Sequence, residues 1–201
     1  MYPSGEGPVF LNHLNFCLMD PKPVSASRTT ITELMIPSYA NFGGKIHGGI
    51  LLSLMDKVAY ACASKHSGAY CVTVSVDNVD FMQPVEVGEL VSMKASVNYV
   101  GNSSMVVGIK VTAENVMKGF VKHTNTSYFA LVAKDEENKL VKVPPLILEN
   151  KEDVRRFVEA RERRRIYFQS HKEMENAKKA FDMEEEIKKL EGERCQIRLK
   201  K

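Results

Sequence analysis

The stretch that decides the fold runs from Tyr39 to Gly68 and reads YANFGGKIHGGILLSLMDKVAYACASKHSG. It opens with two glycine pairs and then continues without proline through an apolar segment. Apolar side chains recur there at helical spacing, at Leu51, Leu54, Met55, Val58 and Cys62. The spacing predicts a long helix with one buried stripe, beginning just after the second glycine pair.

One acidic residue, Asp56, lies inside this apolar segment. At about 100° per residue, seven steps from Gly49 bring Asp56 back to almost the same face of the helix. A carboxylate two turns inside a buried helix costs free energy unless a function or a hydrogen bond satisfies it. The alternative is an ordinary charge on an exposed side of the helix, paired with Lys57 or Tyr60.

The glycines at the start of the helix favour a functional role for this segment. Gly48 and Gly49 would leave backbone N–H groups unpaired and open to close approach by a ligand. A helix N-terminus also favours a developing negative charge, such as that on the carbonyl oxygen of a thioester or an ester. The segment therefore predicts a site at the beginning of the helix.

Several motifs occur together in an order that resembles one family. NFGGKIHGG from Asn41, followed by LMD from Leu54, resembles the hotdog-fold acyl-CoA thioesterases, specifically the brain-type cytosolic acyl-CoA hydrolase group. Later stretches are similar too: CVTVSVDNVDFMQPVEVGELV from Cys71, YVGNSSM from Tyr99, HTNTSY from His123 and VPPLILEN from Val143. The resemblance covers about Arg28 to Arg165 and leaves both ends of the chain uncovered.

Strand patterns flank the helix. Arg28 to Ile36 is rich in threonine and branched residues, which suits a first strand. After Gly68 the period changes to two, and a slip in the alternation predicts a bulge near Asp77-Asn78, with Val79 and Phe81 continuing the strand. Three more strands are predicted from apolar alternation, over about 91–99, 107–113 and 121–133, with a turn at Gly101-Asn102 between the first two.

One strand, a long helix and four strands joined by short turns predict an α+β fold, in which one antiparallel sheet of about five strands curls around the helix. The hotdog fold of the family has this order. We expect three parts: an irregular N-terminal arm over residues 1–27, a hotdog thioesterase domain over 28–148, and a charged helical extension over 149–201. The extension has no proline and no glycine before Gly192, which favours helix.

Composition limits the functional class. The net charge of +3 supports no claim about nucleic acid, and glutamates interrupt the arginine cluster of the tail. The cysteines show no CxxC spacing, so neither a disulfide framework nor a metal site is expected, and a reducing, cytoplasmic setting is favoured; they are Cys17, Cys62, Cys71 and Cys195. No apolar run approaches the roughly 20 residues of a membrane span, and no signal peptide is recognisable.

The resemblance implies the chemistry of the site. No GxSxG motif is present, so the usual serine-hydrolase route has no local signature. In the family, the aspartate that matches Asp56 is the general base or the nucleophile, and the asparagine that matches Asn41 completes the site across a subunit boundary. The alternative for Asn41 is a turn residue before the glycine loop. Gly49, with Gly48, would supply the N–H that polarises the thioester carbonyl.

The resemblance also implies where coenzyme A binds. Gly101, Asn102, Ser103 and Ser104 match a turn that lies near the nucleotide in the family; the alternative is a plain hairpin turn. His47 is expected to have a positioning or packing role at the substrate site, the alternative being no role at all, and His123 is expected to be structural or to lie near the coenzyme. Arg161 and Arg164 belong to an arginine cluster that would contact the phosphates, unless it is only a solvated helix face.

The expected function is hydrolysis of fatty acyl-CoA to free fatty acid and coenzyme A. No separate cofactor is implied, because coenzyme A is part of the substrate and of the product. The resemblance implies a homo-oligomer, a trimer of hotdog dimers, with no nucleic-acid partner and no membrane span. The alternative is a non-catalytic acyl-CoA sensor or regulatory protein. The presence of both Asn41 and Asp56 favours the enzyme, because a sensor needs neither.

Overall fold

A computed structural model describes residues 19–199. The chain begins there with β1 (Lys22–Pro23), α1 (Val24–Ser27), β2 (Thr29–Leu34) and a 3-10 turn at Pro37–Tyr39. Residues 1–18 of the predicted arm, with Cys17, lie outside the described residues. Within residues 22–27 the expectation of irregular structure was wrong, because Val24 and Ser27 are buried and the Ser27 hydroxyl accepts a hydrogen bond from Val97 N at 3.0 Å.

Helix α2 (Gly48–Ser67) is the predicted long helix. It begins after His47, whose backbone is extended, and it ends at Gly68, whose positive φ of 71° is the usual left-handed C-terminal glycine conformation. The predicted apolar stripe is confirmed, since all five of its side chains are at most 7% exposed. This stripe packs on the concave face of the sheet.

Four strands follow α2: β3 (Tyr70–Val76), β4 (Leu90–Val100), β5 (Ser104–Asn115) and β6 (Phe120–Lys134). With β2 they form one five-stranded antiparallel sheet in the order β2-β4-β5-β6-β3. Met93, Val107 and Phe129 from the middle strands are at most 1% exposed. The predicted α+β class, with a curled sheet around a long helix, is confirmed.

Two details of the predicted sheet were wrong. Val79 and Phe81 do not continue β3, because the side chain of Asp77 accepts a hydrogen bond from Asn78 N and turns the chain out of the sheet. The irregularity in pairing lies between Thr73 and Ser75. In addition, β3 pairs with β6 and forms one edge of the sheet, whereas β4 lies next to β2 near the other edge. Residues 77–89 therefore cross the sheet to connect β3 with β4 and do not form a short turn.

The C-terminal part forms β7 (Leu146–Ile147), α3 (Lys151–Lys179) and α4 (Met183–Lys189). Strand β7 pairs with β1, and the first half of α3 packs on the outer face of the sheet, where Phe157 lies 5.2 Å from the Tyr99 ring. The helical tail is thus as predicted over these ranges. Among residues 19–199, no helix is long and apolar enough to cross a membrane.

Candidate active site

The glycine loop before α2 is shaped by Asn41. Its Oδ1 accepts hydrogen bonds from Gly43 N at 2.9 Å and from Lys45 N at 3.2 Å, and its backbone is bonded to Lys45 and Gly44. Gly44 has a φ of +74°, which side chains rarely adopt. Asn41 therefore holds the loop as a turn residue does. Its side-chain nitrogen makes no hydrogen bond within the described residues, and the residue lines a cavity.

The first turn of α2 differs from the prediction in one respect. His47 Nδ1 accepts a hydrogen bond from Gly49 N at 2.9 Å and so caps the helix. Of the two glycine N–H groups expected to be unpaired, that of Gly49 is paired with this ring. The N–H of Gly48 makes no hydrogen bond within the described residues. Of the two predicted donors, the N–H of Gly48 is therefore free of hydrogen bonds within the described residues, whereas that of Gly49 is occupied by the His47 ring.

A cavity of about 420 Å³ adjoins this helix terminus. Its lining mixes polar and apolar side chains: Asn41, Lys45, Ile46, Leu51, Phe81, Gln83, Pro84 and Val85, with Gly48 among them. A Cβ on Gly48 would lie 3.3 Å from the Phe81 ring, so glycine permits this close contact. At the rim, Lys45 donates to Glu86 at 2.6 Å, and this hydrogen bond lowers the pKa of the Glu86 carboxyl.

Asp56 lies eight residues after Gly48 along α2. Its side chain is exposed in the single chain, as is Gly49 seven residues earlier, so the face predicted for these two residues is shared and is an exposed one. Its Oδ1 accepts a hydrogen bond of 2.7 Å from the Thr73 hydroxyl of β3. Neither Lys57 nor Tyr60 is its partner within the described residues, so the alternative is confirmed in the exposure of Asp56 and wrong in the partners that it named.

Thr73 was missed by sequence reasoning. It stands in the alternating run of β3 and looks there like any polar residue between two valines. Its contact with Asp56 depends on how β3 lies against α2, and no local pattern reports that arrangement. The sequence shows only that the strand after the helix of Asp56 contains a residue with a hydroxyl group.

Asn41 and Asp56 do not meet within one chain. Asn41 lies before the first turn of α2, whereas Asp56 is about 12 Å further along the helix axis than Gly48, at 1.5 Å per residue. The cavity at the helix terminus is lined by Asn41 and not by Asp56. A single chain therefore presents two half-sites, which we call the donor half-site (Asn41, Gly48 and Gly49) and the carboxylate half-site (Asp56 and Thr73).

The predicted coenzyme-binding turn forms the hairpin between β4 and β5. The carbonyl oxygen of Asn102 accepts from Val143 N at 3.0 Å, and that of Ser103 accepts from Ala133 N at 2.9 Å. Gly101 lies close to Ser104, and a Cβ there would lie 2.7 Å from the Ser104 hydroxyl, which would have to rotate away. The side chains of this turn make no hydrogen bond within residues 19–199, so their role toward coenzyme A stays a prediction.

The predicted residues on β6 and α3 lie elsewhere. His123 Nε2 lies 2.9 Å from the Thr126 hydroxyl on the outer face of the sheet. Arg164 stacks over the rings of Tyr99 and Phe168, at 5.7 Å and 5.0 Å from their centroids. Arg161 is exposed. Within residues 19–199, no group of three or more His, Cys, Asp or Glu side chains is arranged to hold a metal ion.

Known proteins share this chain's sequence and fold. Residues 43–120 match the family model of the thioesterase superfamily. Protein VdlD of Helicobacter pylori is 38% identical over 155 residues, which are 77% of this chain and 87% of that protein. A hexameric acyl-CoA thioesterase has a TM-score of 0.73 and 32% identity, over 75% of this chain and 97% of the other.

A third relative was solved with ligands. The acyl-CoA hydrolase of Staphylococcus aureus, in complex with butyryl coenzyme A and coenzyme A, has a TM-score of 0.66 and 31% identity over 77% of this chain and 98% of its own. It was also solved as three variants, in which an asparagine, an aspartate or a threonine is replaced by alanine. The chain therefore belongs to the thioesterase superfamily, within its hotdog-fold group of acyl-CoA thioester hydrolases.

Proposed function

We propose that this protein hydrolyses acyl-CoA to a free fatty acid and coenzyme A at sites that two subunits share. The carboxylate half-site of one chain would face the donor half-site of the other. The observation that carries this proposal is the placement of Asp56, which is exposed on α2, held by Thr73 and about 12 Å along the helix from Gly48 of its own chain.

The exposed face of α2 supports a paired arrangement. Gly48, Leu52, Asp56 and Tyr60 follow one another at four-residue spacing and share one side of the helix. Leu52 is 39% exposed and lies midway between Gly48 and Asp56. If two α2 helices pack antiparallel about a twofold axis at Leu52, Asp56 of one chain lies beside Gly48 of the partner subunit. The two half-sites then form one complete site, twice per dimer.

Strand β3 supports the same contact. It is an edge strand of the sheet, and edge strands leave backbone groups unpaired unless another strand covers them. Val74 is 58% exposed, and the ring of Tyr70 packs edge-to-face on Tyr60 of α2 at 6.0 Å. The apolar surface of β3 thus continues that of α2. A second copy is the partner that this surface fits, since β3 can pair with itself across a twofold axis.

The spacing of three residues gives independent support. In the Staphylococcus aureus enzyme, the aspartate changed to alanine follows the changed asparagine by 15 residues, and the changed threonine follows the aspartate by 17. Asn41, Asp56 and Thr73 have the same two spacings here. We therefore assign Asn41, Asp56 and Thr73 to the active site, with Asn41 completing it from the other subunit.

The proposed mechanism assigns a task to each group. The N–H of Gly48, joined by that of Gly49 when His47 turns away, polarises the thioester carbonyl and stabilises the oxyanion. Asp56 either takes a proton from the attacking water or attacks the carbonyl carbon itself, and Thr73 orients the carboxylate for either task. The C–S bond breaks and coenzyme A leaves as a thiolate. When Asp56 is the base, the oxygen of water enters the fatty acid directly; when Asp56 is the nucleophile, the fatty acid takes a carboxylate oxygen of Asp56, and water attacking the Asp56 carbonyl carbon of the mixed anhydride replaces it.

Several finer points belong to the same proposal. The motifs around Asn41 and Asp56 support the brain-type cytosolic group, and with it a cytoplasmic location. The hexameric relative supports a trimer of hotdog dimers. The division into arm, hotdog domain and helical extension is retained, with the hotdog part including β1 and α1. Asn102, Ser103, Ser104 and the arginines of α3 are assigned to coenzyme A binding, as the resemblance implies.

The test measures thiol release from acyl-CoAs of increasing chain length. Asp56→Ala should lower kcat by about 10²–10⁴-fold, the usual contribution of a general base, while the oligomer persists. Glu136→Ala removes a carboxylate from an exposed turn and serves as the matched control. Full activity of Asp56→Ala would contradict the proposal. Single turnover in ¹⁸O-water then separates the two tasks of Asp56, because only a nucleophilic carboxylate acquires the label.

A further inference from the structure

A second cavity lies on the outer face of the sheet, between its middle strands and the first turns of α3. Its volume is about 680 Å³. Side chains alternate across a strand, so Lys94 and Lys110 point outward where their neighbours Met93 and Val111 point into the core. Neither Asp56 nor Asn41 lines this cavity, which is therefore separate from both half-sites.

The lining of the cavity is strongly basic. Its charged side chains are Arg28, Lys94, Lys110, Arg155, Arg156 and Glu152, five positive and one negative. Glu152 accepts hydrogen bonds from Arg155 at 2.6 Å and from Arg156 at 2.8 Å, and its charge is thereby compensated. Arg28 has a distant carboxylate, that of Asp153 at 3.8 Å. The positive charge that remains uncompensated is concentrated on the two lysines.

Lys94 and Lys110 stand directly opposite each other on β4 and β5. Neither makes a salt bridge or a hydrogen bond through its side chain within residues 19–199. Like charges in directly opposed positions of an antiparallel pair destabilise a sheet. Both side chains are exposed, and no carboxylate is bonded to either ammonium group within residues 19–199, so both charges are available to an anion in the cavity.

Neutral donors extend the same row across the sheet. Thr30 stands opposite Lys94, and Thr126 stands opposite Lys110, with its hydroxyl beside His123 Nε2. Next to Lys110, Gly108 leaves the floor of the cavity open. No larger residue fits at Gly108, because a Cβ would lie 2.2 Å from the buried side-chain nitrogen of Asn98.

We propose that this cavity binds a phosphate-bearing small anion, with Lys94 and Lys110 as its principal contacts. Charge-assisted hydrogen bonds from lysine suit phosphate oxygens, and the volume lies in the range of small-molecule sites. The phosphate belongs either to a free anion or to a coenzyme A molecule that reaches this face. The proposal does not depend on the hydrolytic mechanism above, since its binding measurement uses no acyl-CoA.

The experiment uses inorganic pyrophosphate and the full-length protein. Thermal unfolding and titration calorimetry are recorded for the wild type, for Lys94→Thr with Lys110→Thr, and for Lys118→Thr as the control at an exposed turn. Pyrophosphate should raise the Tm of the wild type and of the control, less so at high salt. In the double variant the apparent Kd should weaken by about tenfold or more for each lysine removed.

Two results identify a binding role and not a structural one. Without pyrophosphate, the double variant should melt at a higher temperature than the wild type, because the repulsion between the lysines is gone. The KM of the double variant for acyl-CoA shows which molecule carries the bound phosphate. A raised KM assigns the site to the phosphates of coenzyme A, and an unchanged KM assigns it to a free anion. Equal stabilisation of wild type and double variant by pyrophosphate would overturn the proposal. So would a change of oligomer size in the variant, which would identify the cavity as a subunit contact.

Discussion

Removing the Thr73 hydroxyl should impair catalysis while leaving the fold intact. The hydroxyl donates to Asp56 Oδ1 at 2.7 Å, and this is the hydrogen bond through which the sheet fixes the carboxylate. Thr73→Val keeps the branched shape that suits β3 and deletes only the donor. Thr73→Ser restores the donor without the methyl group, so it is the matched control.

The size of the effect follows from the kind of hydrogen bond. Hydrogen bonds to charged groups contribute about 1.5–3 kcal/mol, and each 1.4 kcal/mol is a factor of ten. If this bond holds Asp56 in its reactive position, kcat of Thr73→Val should fall by about 10- to 150-fold. The free energy of unfolding should change by less than about 0.5 kcal/mol, because Asp56 is exposed in the single chain and surface substitutions have small effects.

The assay is steady-state thiol release together with urea unfolding of the same samples. The expected result is a reduced kcat with a nearly unchanged KM, because the carboxylate acts on the reacting carbonyl and not on the rest of the substrate. Thr73→Ser should recover most of the activity. Wild-type kcat in Thr73→Val, or a loss of activity that tracks a loss of stability, would refute the reasoning.

Three further predictions concern the assembly, pH and the tail. Mixing inactive Asn41→Ala and Asp56→Ala proteins under subunit exchange should restore activity, and no recovery in verified mixed dimers would exclude the shared site. Burial lowers the pKa of His66, whose Nε2 donates a hydrogen bond to Pro144 O at 2.8 Å and whose Nδ1 has no partner within residues 19–199. The free energy of unfolding should therefore be maximal above the unfolded pKa of about 6.5 and decrease as pH falls below it, and His66→Gln should flatten that dependence in urea titrations at successive pH values. Truncation after Lys172 should leave kcat and KM unchanged, because α3 beyond that point contributes no buried side chain; a collapse of activity would mean that the tail joins the subunits.

Hydrophobic periodicity predicted the elements of this fold well, for a physical reason. The stripe on α2 and the alternation along β4 and β5 record which face of each element is buried, and burial is a strong local constraint. The same patterns carry no information on which elements are neighbours. The pairing of β3 with β6, and the contact of Thr73 with Asp56 that results from it, therefore had to come from the structure.

In the candidate site, too, residue types were predictable from the sequence, whereas contacts between residues were not. The glycines before α2 and the unusual Asp56 were recognisable from residue type and position alone. The capping of Gly49 by His47 was not, because a histidine before a helix is an N-cap only when its ring turns back onto the chain. The phase of Asp56 relative to Gly49 was also predictable, since both residues are exposed on α2, whereas the hydrogen bond of Asp56 with Thr73 was not.

Catalysis in this protein should depend on dimer formation, because Gly48 of one half-site and Asp56 of the other lie on the same rigid helix. Within α2, Gly48 and Asp56 are about 12 Å apart and cannot approach each other without breaking the helix. A twofold axis at Leu52 would bring the two groups together without any loop movement. It would place Asp56 of each chain beside Gly48 of the partner subunit. The exposed Leu52 between them then serves the interface and the site together, while Leu51, Leu54 and Met55 remain in the core. A charged residue at Leu52 would accordingly abolish both active sites of a dimer by separating them, although it touches neither the carboxylate nor the oxyanion donors.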